Sequence, residues 1–167
     1  MMANENHRPV KIASDFEHKF PGASAQATET AMNLVRTADL LVKRIGELVQ
    51  PFDLTPSSGL VLGMLADSPA PLPPNEIAAR LIISRATVTG LLDSLERRGY
   101  VQRQPHATDR RMLLIALTDS GRGVAQQFRE VVHRHQRDWL GALSEREQKQ
   151  LLATLHRLQG VLGEAGE

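Results

Sequence analysis

Ser84-Arg85-Ala86-Thr87-Val88-Thr89-Gly90-Leu91-Leu92-Asp93-Ser94-Leu95-Glu96-Arg97-Arg98-Gly99 is the stretch on which the fold turns. Ser84 offers a capping hydroxyl. At about 100° per residue, Val88, Leu91, Leu92 and Leu95 fall on one side of a helix. Gly99 stands where a left-handed residue ends such a helix. The opposite side carries Ala86, Thr89, Gly90, Asp93 and Arg97. Small residues at Ala86 and Gly90 let the helix axis approach a groove floor, and Ser84, Arg85, Thr87 and Thr89 put donors near the positive helix N-terminus. An ordinary surface helix can carry similar residues, so the neighbouring segments decide between the two readings.

On the C-terminal side, Tyr100–Gln104 and Met112–Leu117 read as two strands, joined by Pro105-His106-Ala107-Thr108-Asp109-Arg110-Arg111. A hairpin with a basic tip directly after a groove-reading helix can reach the neighbouring groove. Arg110 and Arg111 are placed to enter a narrow minor groove, where negative potential is enhanced. Asp109 is either the carboxylate that aims a guanidinium or a turn-forming aspartate. On the N-terminal side, Pro73 or Pro74 opens a short helix through Glu76-Ile77-Ala78-Ala79-Arg80-Leu81, which meets the Ser84 helix across a tight turn at Ile82-Ile83.

Further out the pattern is helical. Ala31, Leu34, Val35, Ala38, Leu41, Val42, Ile45, Leu48 and Val49 recur at intervals of three and four up to Pro51. Thr55-Pro56 starts a helix whose buried face is expected to be Leu60, Val61, Met64 and Leu65, and Pro69–Pro74 forms a rigid turn. Thr118-Asp119-Ser120-Gly121 opens a helix running to about Leu140, and Ser144 with Glu147 forms a capping box ahead of Leu151, Leu152, Leu155, Leu158 and Leu162. The expected fold is mainly α with a small β-hairpin wing, a winged helix-turn-helix flanked by dimerisation helices. Its expected segments are a flexible arm over 1–22, a dimerisation helix over 23–52, the winged centre over 53–118 and further dimerisation helices over 119–167.

The net charge of +1 over 167 residues hides an asymmetry. Between Arg80 and Arg111 seven arginines face Asp93, Glu96 and Asp109, a local excess of four that would suit phosphates. The absence of cysteine excludes disulfides, thiolate zinc sites and thiol switches. No apolar run is long enough to cross a bilayer and the start lacks a signal peptide's apolar stretch, so no membrane partner and a cytoplasmic location are expected. A phosphate loop, nucleophile elbow and His-Glu-x-x-His motif are missing, which argues against an enzyme. A metal-responsive alternative would use His133, His135 and His156. His133 and His135 lie two positions apart and splay to different faces, which suits surface imidazoles better than ligands.

Asn75-Glu76-Ile77-Ala78, Ser84–Thr89, Leu95-Glu96-Arg97-Arg98-Gly99-Tyr100-Val101-Gln102-Arg103, Asp109-Arg110-Arg111 and Leu117-Thr118, in this order, resemble the MarR family of bacterial winged-helix regulators. The resemblance implies a dimeric repressor on a pseudo-palindromic operator, with Arg111 in the minor groove and no cofactor. It also implies a cleft for a small aromatic or phenolic effector, to which Arg36, Met64 and Phe128 are assigned as lining candidates. The sequence departs from the family's pattern at Ile82-Ile83, where a glycine or polar residue is frequent, and at Gly90, where a basic residue is frequent. A third reading keeps the winged helix but gives it a protein partner in place of DNA.

Overall fold

The structure, a computed structural model, describes residues 8–106, 109 and 112–164. The chain divides into two compact units, one ending at Pro56 and one starting at Ser57.

The first unit holds α1 (Phe16–Lys19), α2 (Ala25–Val49) and a single 3-10 turn over Gln50–Phe52. Ser24 caps α2 by accepting from the Ala27 amide, and Pro51 ends it by entering the 3-10 turn. The arm expected over 1–22 is held in its described part. Asn33 of α2 accepts from the Val10 amide and donates to the Val10 carbonyl, both at 2.9 Å, and Glu29 accepts from the Ile12 amide at 3.0 Å. An extended segment satisfies its backbone on two polar side chains of one helix face, a pattern with no periodicity of its own.

The second unit holds α3 (Pro56–Asp67) from its second residue on, α4 (Pro74–Leu81), α5 (Arg85–Arg97), β1 (Val101–Pro105), β2 (Leu113–Leu117), α6 (Asp119–Leu140) and α7 (Glu145–Glu164). Its core joins Val61, Leu62 and Leu65 of α3, Ile77 of α4, Val88, Leu92 and Leu95 of α5, Ile115 of β2 and Phe128 of α6. The expected buried face of α3 is corrected at two places. Leu60 is 61% exposed, while Leu62 is fully buried. The helix is apolar on nearly every side, so spacing alone could not select its inward face.

The two strands pair antiparallel from Val101 opposite Leu117 to Pro105 opposite Leu113. The first begins one residue later than expected because the Tyr100 amide closes α5, donating to Leu95 O at 3.0 Å. The turn after α3 contributes a bridge the sequence did not announce: Leu72 and Ile115 exchange backbone hydrogen bonds of 3.1 and 2.8 Å. That exchange ties the proline-rich turn to the hairpin. Thr118 joins hairpin, α5 and α6, donating from its hydroxyl to Gly99 O at 2.6 Å and accepting from the Gly121 amide at 3.0 Å. Gly121 is held there by close approach, since a Cβ on it would lie 1.9 Å from Tyr100 O.

Helices α4 and α5 end in one motif. Ile83 N–H reaches Ala78 O and Ile82 N–H reaches Ala79 O; seventeen residues later Tyr100 N–H reaches Leu95 O and Gly99 N–H reaches Glu96 O. The pivot residue is left-handed in both, with φ of 54° at Ile82 and 71° at Gly99. Glycine takes this conformation freely, whereas a β-branched residue pays roughly 1–2 kcal/mol for it.

Candidate nucleic-acid interface

Helix α5 presents to solvent the face expected of it. Ser84, Arg85, Ala86, Thr87, Thr89, Gly90, Asp93 and Arg97 are exposed, while Val88, Leu92 and Leu95 are buried and Leu91 is half-buried. Ser84 caps α5 as expected, and the hydroxyls of Thr87 and Thr89 also bond within the helix end. Ser84 Oγ accepts from the Thr87 amide at 3.1 Å and pairs with Thr87 Oγ1 at 2.8 Å, and Thr89 Oγ1 donates to Arg85 O at 3.0 Å. Short polar side chains at a helix start satisfy their own backbone first, so they build the helix end before they can read anything. A Cβ at Gly90 would meet nothing within 4 Å, so no intramolecular packing demands glycine there.

The wing is fastened to α5 by Arg103 of β1. Its guanidinium donates to Asp93 Oδ1 at 2.6 Å and to Glu96 Oε2, while its backbone N–H donates to Glu96 Oε1 at 3.2 Å. The Asp93 hydrogen bond, with the charge of both carboxylates, holds the guanidinium pKa above its ordinary value despite partial desolvation. Asp93, expected simply to face outward, therefore serves as an anchor for the hairpin. Sequence reasoning passed over Arg103. The signal was available, since an arginine six residues beyond Arg97 lies within reach of an Asp-x-x-Glu pair on the preceding helix's exposed side.

The pairing also redistributes charge. Arg80 bonds Glu76, and Arg97 and Arg98 donate to the carbonyls of Asp93 and Ser94. Among the described residues no hydrogen bond or ion pair engages the Arg85 side chain at the first position of α5.

At the wing, Asp109 is exposed, its amide donating to His106 Nδ1 at 3.3 Å and its carbonyl accepting from Met112 at 3.0 Å. These backbone bonds fit the turn-forming role. Arg110 and Arg111 lie outside the described residues. A groove of about 440 Å³ runs between the start of α4, Arg85 and Thr89 of α5, and Met112 and Leu113 at the wing.

The effector candidates are spread over both units. Arg36 is half-buried on α2 beside Ala31, Met32, Val35 and Asp39, Met64 is half-buried on α3, and Phe128 is buried at 5% exposure on α6. Among the described residues no group of three His, Cys, Asp or Glu side chains is arranged to hold a metal. His135 instead turns to its own helix, with Nδ1 2.9 Å from Val131 O and its ring against Trp139.

A family model described as MarR family matches residues 52–112, the span from the end of the 3-10 turn to the wing. In three dimensions the chain is similar to the Staphylococcus aureus protein MepR in its DNA complex, with a TM-score of 0.73 and 28% identity over 77% of this chain and 94% of that one. Over its central third the chain is similar to the MarR family. Among curated relatives, the HTH-type transcriptional regulator PecS of Dickeya dadantii is 28% identical over 89% of this chain and 90% of its own. The HTH-type transcriptional repressor YetL of Bacillus subtilis is 46% identical over 57 residues, about a third of each chain. By name, both relatives act on transcription, one as a regulator and one as a repressor. Among the described residues no helix is long and apolar enough to cross a membrane.

Proposed function

We propose that this regulator represses transcription as a homodimer in which two copies of α5 read the half-sites of a pseudo-palindromic operator. Ser84, Arg85, Ala86, Thr87, Thr89 and Gly90 form the major-groove surface, and Asp109, Arg110 and Arg111 form the wing that reaches the minor groove. The observation that carries the reading is a helix with an exposed face of small residues and an uncommitted arginine, fastened by Arg103 to the hairpin beside it. Such a unit presents its helix and wing in a fixed mutual direction, which is what reading two adjacent grooves requires. Repression needs only that the bound dimer occupy a promoter, and the partial likeness to a named repressor supports that sign. A reader of the bacterial chromosome works in the cytoplasm.

Two copies are needed for another reason. Helix α7 is twenty residues long, yet none of its described side chains is buried, and Leu151, Leu152, Leu158, Val161 and Leu162 are exposed on it. An apolar stripe of this length in water calls for a partner surface, and a second copy of the helix supplies one.

A small aromatic acid is the proposed releasing ligand. On α2 Arg36 lines an open groove with Met32, Val35 and Asp39, where charged and apolar surface lie side by side as an aromatic acid requires. Release requires that the ligand bind better to a conformation with misplaced α5 helices than to the DNA-bound one.

Selection from a randomised duplex library, followed by a salt titration on the selected site, tests the reading. The expected result is an inverted repeat with half-site centres roughly 34–36 Å apart. Failure to enrich any sequence, with weak binding that vanishes steeply as salt rises, would leave only nonspecific phosphate contact and favour a protein partner.

A further inference from the structure

Ile82 stands in the turn between α4 and α5 with φ of 54° and with 92% of its surface exposed. The chain solves the same geometric problem at the end of α5 with glycine. Isoleucine at 82 is therefore disfavoured twice, by a backbone region that β-branched residues avoid and by water around a large apolar side chain. No packing within the described chain offsets either cost, so the side chain gains only when another surface covers it.

The position names that surface. Ile82 lies two residues before Ser84, on the leading edge of α5. The polar groups of that edge are already occupied. Ser84 and Thr87 bond each other and the helix amides, and the Thr89 hydroxyl donates to a backbone carbonyl. What the edge has left to offer is the Arg85 guanidinium and apolar groups, the largest of them the Ile82 side chain beside the smaller methyls of Ala86, Thr87 and Thr89. On the major-groove edges of the base pairs, the apolar group available to a side chain is the 5-methyl of thymine.

We propose that Ile82 is a specificity-determining residue that packs on a thymine 5-methyl group in each half-site. The proposal rests on the reading of α5 as the recognition helix and adds a base preference to it. The left-handed turn then has a use, since it holds the side chain clear of the protein and ahead of the helix.

The experiment takes the duplex selected by the wild-type protein and replaces its thymines one at a time by deoxyuridine, which lacks only the 5-methyl. For the wild type, one such replacement per half-site is expected to weaken binding about fourfold, the effect of uncovering one methyl group. The variants Ile82→Asn and Ile82→Gly, both suited to a left-handed turn, are expected to bind the parent duplex more weakly and to be indifferent to that same replacement. Their unfolding temperatures should equal or exceed the wild type's. Wild-type binding with an unchanged deoxyuridine profile in both variants overturns the Ile82 assignment alone, as does a variant that melts well below the wild type, because the side chain would then be packing within the fold. Absence of any selected sequence for the wild type overturns this proposal together with the reading of α5.

Discussion

Arg103 and Asp93 are ion-paired at 2.6 Å across the junction of β1 and α5, and Glu96 completes the clamp from the same helix. The pair is partly exposed, so its share of global stability is at most about 1 kcal/mol. Its larger effect is on direction, since it fixes where β1 leaves α5. Arg103→Met is expected to leave the urea midpoint nearly unchanged while lowering affinity for the selected duplex about tenfold, as the wing samples more orientations. Fluorescence anisotropy on the selected duplex, beside urea unfolding, separates the two effects. A loss of stability as large as the loss of affinity would make Arg103 a residue of folding only.

Gly121 and Gly123 sit two residues apart in α6 and should respond oppositely to alanine. A Cβ at Gly121 would lie 1.9 Å from Tyr100 O and 2.7 Å from Tyr100 C, backbone atoms that move only with the junction of α5 and β1. Gly121→Ala is expected to cost at least the roughly 3 kcal/mol at the upper end of overpacking penalties. At Gly123 nothing lies within 4 Å of the added atom, and Gly123→Ala is expected to stabilise by about 0.5–1 kcal/mol through helix propensity. Thermal unfolding of the two variants checks both signs at once.

Much of this architecture was legible because its signals are local. Ser84, Thr118 and Ser144 each read as caps, and each caps as read, Ser144 through a reciprocal arrangement with Glu147. What escaped were relationships that cross between elements. Arg103 clamps α5 from a strand, the Leu72 bridge joins a proline-rich turn to the hairpin, and Asn33 holds an arm 23 residues away. None of these has a period. Leu60 was misassigned for a related reason, since a helix apolar on all sides leaves its inward face to tertiary packing.

Glu147 gives a pH test of the last helix. Its carboxylate accepts from the Ser144 hydroxyl and amide, which holds its pKa below the usual 4.5. A carboxylate depressed on folding contributes stability above its unfolded pKa and loses it as pH falls through the folded value. The first turn of α7 should therefore keep its protection at pH 5–7 and begin to fray below about pH 4.5. In Glu147→Gln the fraying should depend less on pH. Amide exchange at residues 145–148, compared between the two proteins at each pH, reads the difference, and identical profiles would remove the role assigned to the charge.

Gly90 separates stability from reading. Nothing in the fold contacts the space its Cβ would fill, so Gly90→Ala is expected to stabilise α5 by about 0.5–1 kcal/mol. If the helix approaches the groove floor at this position, the same methyl must cost affinity. The expected outcome is a protein that melts higher and binds the selected duplex several-fold more weakly. Equal or tighter binding would mean that the helix does not approach DNA closely at Gly90.

The exposed stripe of α7 decides whether the reader is dimeric. Leu158 is 37% exposed and Leu162 is 64% exposed, and with Leu151 at 43% they lie on a helix with no buried side chain among those described. Replacing Leu158 by Glu should cost little in an isolated chain, where water already reaches the site, but a buried unpaired carboxylate in a helical interface is expensive. Leu158→Glu is therefore expected to convert a dimer into a monomer by light scattering with the helical circular dichroism mostly kept. The same variant should lose affinity for the full inverted repeat far more than for a single half-site, because the second half-site no longer binds as an intramolecular event. A mass unchanged at that of two chains would move the interface off this stripe, whereas a wild type that already scatters as one chain would end the dimer reading and leave α7 to cover some other surface.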